Sequence, residues 1–127
     1  NKDAILAILE IKPLLCISNT KWHKDMKRPQ IISRIKEALH RNEPGLQIVL
    51  FGSEARGDAR ADSDIDLLLL VDKEPVTLAD KMALTAPLYD IELETGIQIN
   101  PIVESLRKWG KRFTPFYENV IKEGILL

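Results

Sequence analysis

Between Pro29 and Asn42, apolar side chains fall at Ile31, Ile35 and Leu39, with Ile32 beside them and Ser33, Arg34, Lys36 and Glu37 opposite. A recurrence every four residues puts the apolar positions on one face of an α-helix. Pro29 suits the first turn of that helix, where a missing N–H costs nothing, and Asn42-Glu43-Pro44-Gly45 ends it. The pattern then changes. Residues 47–51 form a short apolar, β-branched run that predicts a buried strand. Residues 52–63 are polar, small and contain glycine, and read as a loop with one helical turn. Residues 64–71 predict a second strand, and Asp72-Lys73-Glu74-Pro75 turns the chain. Thr77, with Asp80 three residues on, predicts a capping box. Leu84, Leu88 and Ile91 carry the apolar stripe of the helix it opens, and Gly96 stops it. Pro87 lies inside this stripe and predicts a kink or a division. Residues 97–103 predict a third strand, at an edge of the sheet because Pro101 cannot donate to a ladder. Ser105 is a candidate cap for a short helix, and Thr114-Pro115 opens a last helix ending at Gly124. Nearer the start, Ala4, Ile5, Ile8 and Leu9 predict a short helix before Pro13, residues 14–17 a short buried element, and residues 21–28 a basic loop.

Strands separated by helices predict an α+β fold, a small mixed β-sheet with helices packed against it. A chain of 127 residues fits a single domain, 1–127, in which residues 1–28 are an N-terminal extension. With 45% apolar and 29% charged residues it reads as globular rather than disordered. A formal net charge of −1 argues against nonspecific coating of nucleic acid. Local contact with nucleic acid stays open, because Arg107, Lys108, Lys111 and Arg112 surround Trp109; a solvated helix face with a half-buried Trp is the plainer reading. Cys16 is the single cysteine, which excludes an internal disulfide. Neither histidine, His23 or His40, lies near a second cysteine, which argues against a zinc site. No apolar run is long enough to cross a bilayer, and the first residues show no cleavable leader pattern, so the expected location is the cytoplasm.

The chemistry concentrates in residues 51–69. Gly52-Ser53 follows a strand and precedes a helical turn, where glycine permits close backbone approach and free N–H groups with the Ser53 hydroxyl can receive phosphate oxygens. It is neither a Walker loop nor a dinucleotide fingerprint. Asp64 and Asp66 are two apart on a strand, so both carboxylates leave the same face, while Ile65, Leu67, Leu69 and Val71 point to the other, buried side. Like charges so placed repel unless compensated, and a divalent cation such as magnesium, which favours carboxylate oxygens, supplies compensation. The residues alone leave a second reading equally open, in which residues 62–66 are simply a polar turn. Arg56 likewise reads either as a fork of donors for phosphate or as an ion-pair partner of Asp58 or Asp62.

The run Gly52-Ser53, Arg56-Gly57, Ser63-Asp64-Ile65-Asp66-Leu67 closely resembles the signature of the nucleotidyltransferase superfamily that contains DNA polymerase beta, in particular its small prokaryotic minimal domains. The similarity covers residues 29–127 in element order, and the tail from Phe116-Tyr117 through Ile121-Lys122-Glu123-Gly124 resembles theirs. The resemblance implies a nucleotidyltransferase fold and a nucleoside triphosphate as ligand, with Gly52, Ser53, Arg56 and Ser63 binding the nucleotide. It implies Asp64 and Asp66 as catalytic residues and ligands of one or two Mg2+ ions, and transfer of a nucleoside monophosphate to a hydroxyl with release of pyrophosphate. Such enzymes usually carry a third carboxylate on the neighbouring strand. Here the matching position is closest to Asn100 (or Gln98), with Glu104 eligible only in a different register. An amide is neutral and a poor base. A catalytically weakened nucleotide-binding or antitoxin-like regulatory module, acting with a small helical partner protein or as a homo-oligomer, is therefore the alternative.

Overall fold

The computed structural model describes residues 28–109, 111 and 114–127. The helix expected near residues 4–9, the element at 14–17, most of the basic loop, Cys16, Arg112 and Phe113 lie outside the described residues.

Helix α1 (Pro29–Asn42) buries Ile35 and Leu39 of its predicted stripe together with Ile32, while Ile31 is only partly buried. Strand β1 (Gln47–Phe51) leads into the single helical turn α2 (Ser53–Arg56). Strand β2 (Ile65–Val71), helix α3 (Leu78–Thr95), strand β3 (Ile99–Ser105), helix α4 (Pro115–Glu123) and the short strand β4 (Ile125–Leu126) complete the order. The four strands form one sheet in the order β3-β2-β1-β4. β1 runs antiparallel to both β2 and β4, whereas β2 and β3 are parallel, so the sheet is mixed as expected. β3 is an edge strand, which accommodates Pro101. It begins two residues later than the pattern suggested, at Ile99, and continues to Ser105.

Three expectations need correction. Alternation along residues 64–71 put only Ile65, Leu67, Leu69 and Val71 inside. In fact Leu68 and Leu70 are fully buried too, and Val71 is only partly so. β2 is an interior strand flanked on both edges, and such strands read as continuous apolar runs. Only the start of its second face, at Asp64 and Asp66, reaches solvent. Second, of the kink or division expected at Pro87, the division does not occur: α3 runs unbroken through it. The carbonyl that loses its partner four residues earlier, that of Ala83, instead accepts a hydrogen bond of 3.0 Å from Asn42 Nδ2 at the end of α1. Third, Ser105 does not open a helix: residues 106–109 make a turn on the Ser105 carbonyl.

The capping box is present in full: Asp80 N–H donates to Thr77 Oγ1 at 3.1 Å and Thr77 N–H to Asp80 Oδ2 at 2.9 Å. Thr114 likewise caps α4 through Tyr117 N–H. Phe116 meets Phe51 edge-on at 5.3 Å between ring centres, and Trp109 packs against Phe116 and Tyr117, so aromatic contacts seat α4 beside the end of β1.

Candidate nucleotide-binding site

The strand register brings the candidate residues together. Asp66 on β2 pairs with Phe51, the last residue of β1, and on its other side with Asn100 of β3. The turn after Phe51 therefore passes directly over the Asp66 carboxylate. Gly52 has φ 79° and ψ −157°, a backbone conformation almost confined to glycine. A Cβ at this position would also collide with Asp66 Oδ2. Residue 52 is thus glycine for two independent reasons, one conformational and one imposed by the acid beneath it.

The two acids converge rather than splay. Asn100 Nδ2 donates to Asp64 Oδ2 and to Asp66 Oδ1, each at 3.2 Å. Its amide orientation follows from chemistry: carboxylates only accept, so the NH2 faces them. The Asn100 oxygen is in turn held at 2.9 Å by Gln98 Nε2. Among the described residues no lysine or arginine pairs with either acid. The register puts Glu104 opposite Leu70, well along β3, so Asn100 is the residue that faces the pair.

The donor set fits a hard divalent cation: two carboxylates on one face, half-exposed or exposed, beside an amide oxygen already engaged by Gln98. Magnesium is commonly held by one or two carboxylates together with substrate phosphates and water. Asp64 and Asp66 are the residues that would hold it.

The remaining candidates behave differently. The Ser53 hydroxyl takes no hydrogen-bond partner among the described residues. Ser63 Oγ accepts from Arg60 N–H at 2.8 Å, and Ser63 N–H donates to the Arg60 carbonyl, which closes the loop before β2. Arg56 pairs with Asp58 at 3.2 Å, one of the two acids its sequence neighbours offered, and also with Glu123 at 3.2 Å. Asp58 first and Glu123 second strengthen the hold of the guanidinium on its proton. Glu123 Oε1 also accepts the Gly52 N–H at 3.1 Å.

Glu123 and the supporting role of Gln98 were missed from sequence. The Glu123-Gly124 pair was visible only as part of a familiar tail, and nothing in its spacing ties residue 123 to residue 52. Glu54 was also missed. It is buried and accepts from both the backbone N–H and the guanidinium of Arg28, anchoring α2 to the start of α1.

Two described residues of the late basic cluster are paired with acids. Arg107 donates to Asp72 at 2.9 Å, Lys108 lies 3.6 Å from Glu74, and Trp109 is buried rather than half-exposed. A groove of about 570 Å³ between α1 and α3 is lined by Arg34, Arg41, Asp90 and Glu94 among others, and none of the candidate site residues borders it. No described helix is long and apolar enough to cross a membrane.

The geometry is thus a glycine turn over paired acids at the start of an interior strand. The chain belongs to the family described as "Polymerase beta, Nucleotidyltransferase", whose model matches residues 33–127. It is similar to "Putative protein adenylyltransferase MJ0604" of Methanocaldococcus jannaschii, with 38% identity over 85 residues, 64% of this chain and 76% of that protein. It is also similar to "Putative protein adenylyltransferase MJ0141" of the same organism, with 42% identity over 57 residues, 45% of this chain and 57% of that protein. The chain thus spans little more than half the length of this second relative. Nucleotidyl transfer is the general chemistry of the family, and a nucleotide is its substrate class.

Proposed function

We propose that this chain is a magnesium-dependent nucleotidyltransferase that moves a nucleoside monophosphate, most simply AMP from ATP, to a hydroxyl of a protein acceptor. The observation that carries the reading is the convergence of Asp64 and Asp66 on the Asn100 amide, with Asp66 directly beneath the Gly52 turn. The adenylyl group and the protein acceptor are suggested by the names of the relatives.

In this reading the Gly52-Ser53 turn and its free hydroxyl receive phosphate oxygens. Asp64 and Asp66 hold Mg2+, which supplies charge neutralisation for the phosphates and the departing pyrophosphate. The acceptor oxygen forms a bond to the α-phosphorus, and the bond from that phosphorus to the bridging oxygen breaks. Pyrophosphate carries away the bonding electrons. The hydroxyl proton passes to solvent, because Asn100 stands where a carboxylate base would be and its amide has no basic atom to offer.

The test is incubation with ATP labelled at the α-phosphate, magnesium and candidate acceptor proteins. Label should enter protein from the α position and not from the γ position, and an Asp64→Asn, Asp66→Asn double variant should transfer none. Transfer from the γ-phosphate, or equal transfer by the double variant, would overturn the proposal.

A second reading rests on the same asparagine: a nucleotide-binding, antitoxin-like module with little turnover, acting with a helical partner protein or a second copy of itself. The NH2 of Asn100, rather than its oxygen, is turned to the acids. This reading predicts magnesium-dependent nucleotide binding with no labelled acceptor.

A further inference from the structure

We propose that the Glu123 carboxylate is a built-in competitor for the triphosphate, occupying at rest the donors that a phosphate group takes when nucleotide binds. The inference rests on the nucleotide-binding reading above and adds a residue that controls affinity.

Glu123 Oε1 accepts from Gly52 N–H at 3.1 Å, and its two oxygens accept from the Arg56 guanidinium at 3.4 and 3.2 Å. Both of these guanidinium contacts come from Arg56 Nη1, while Nε donates to Asp58; an anion shared between a backbone N–H and an arginine N–H is an arrangement by which proteins also hold phosphate oxygens. Gly52 covers Asp66, and Arg56 ends the helical turn that Gly52 begins. A phosphate and a carboxylate cannot share both donors, since each is negative and each needs the same hydrogens.

The main chain holds Glu123 in that seat. Gly124 closes α4 through its N–H to the Val120 carbonyl at 2.7 Å. A Cβ on Gly124 would lie 2.8 Å from Val49 Cγ1, so only glycine lets the chain pass this close to β1. The next two residues pair with β1, Ile125 with Leu50 and Leu126 with Val49. With its backbone fixed on both sides, Glu123 can leave only by rotating its side chain. That side chain is partly open to solvent, at 23% exposure, so rotation needs no unfolding.

A purely structural Glu123 and a competing Glu123 differ in what glutamine does at this position. Glutamine keeps an oxygen for Gly52 N–H and removes the charge. Binding of Mg2+-ATP and of inorganic triphosphate is to be measured by calorimetry for the native chain and for Glu123→Gln, with thermal melting as the check on folding. We expect Glu123→Gln to bind both about tenfold more tightly, equivalent to about 1.4 kcal/mol. Unchanged or weaker binding by a folded variant, while the native chain binds, would overturn the competitor role alone. Absence of binding by both proteins would sink the nucleotide reading and this proposal with it. In the native chain the carboxyl carbon resonance of Glu123 should move together with the Gly52 amide as inorganic triphosphate is titrated. This second readout stands even if the variant does not fold: a shift at Gly52 with none at Glu123 refutes displacement.

Discussion

Replacing Gly52 by alanine tests the geometry on which the site depends. The new Cβ would sit at φ 79°, ψ −157° and press on Asp66 Oδ2. An ordinary residue in that backbone region costs on the order of 1–3 kcal/mol. Pushing Asp66 off its rotamer adds roughly 0.5–1.5 kcal/mol, and the stiffer unfolded chain offsets about 0.4–1 kcal/mol. The net loss is on the order of 0.5–4 kcal/mol, and a central value of about 2 kcal/mol lowers Tm by roughly 7 °C in a domain of this size. Gly96 provides the internal control. It too has positive φ, 70°, but no atom lies within 4 Å of the Cβ it would gain. Gly96→Ala should therefore cost only the left-handed backbone term, about 1 kcal/mol. Urea unfolding of the two variants measures the difference, and nucleotide titration reads the site. Gly52→Ala should be the less stable by about 1 kcal/mol or more, and it should lose magnesium-dependent nucleotide binding while Gly96→Ala keeps it. Equal destabilisation with binding intact in both would refute the claim that the turn is fitted to Asp66.

Asn100→Asp should exchange two hydrogen bonds to the acid pair for a third facing carboxylate; without divalent cations the stability loss should be roughly 1–3 kcal/mol. Millimolar magnesium should restore more of its Tm than it adds to the native chain, and an identical magnesium response would show that residue 100 does not face the cation position. Asp80 is held at about 2, below its ordinary 3.8, first by the hydrogen bond from Lys73 and then by the cap at Thr77. A depressed carboxylate stabilises the fold above its unfolded pKa and loses that contribution as pH falls toward the folded value. The urea midpoint of the native chain should therefore approach that of Asp80→Asn between about pH 4 and pH 2, and a gap that stays constant over this window would contradict the assignment.

What the sequence made legible was local. The face of α1, the ends of β1, the cap of α3 at Thr77 and Asp80, and the edge position of the strand carrying Pro101 all follow from spacing or from a residue's own backbone chemistry. The acid pair was legible for the same reason, since period-two geometry needs no partner to be known. Asn100 (or Gln98) was singled out through the family resemblance, as the place of a third carboxylate on the neighbouring strand, and the register puts Asn100 opposite Asp66. The rest was set by distant contacts. Pro87 breaks no helix because Asn42, forty-odd positions away, takes over the freed carbonyl. Leu68 and Leu70 are buried because β2 lies inside the sheet, which alternation cannot foresee. Glu123 meets Gly52 only because β4, two residues long and without any recognisable pattern, pins the chain end to β1.

The central claim is that Asp64 and Asp66 act together as a magnesium-dependent seat for a nucleoside triphosphate. Calorimetric titration of ATP into the native chain and into the Asp64→Asn, Asp66→Asn variant, each with magnesium and with a chelator, tests it most directly. The account predicts binding that is at least tenfold tighter with magnesium in the native chain, about 1.4 kcal/mol, and no magnesium effect in the variant. Binding of equal strength in all four titrations would contradict it.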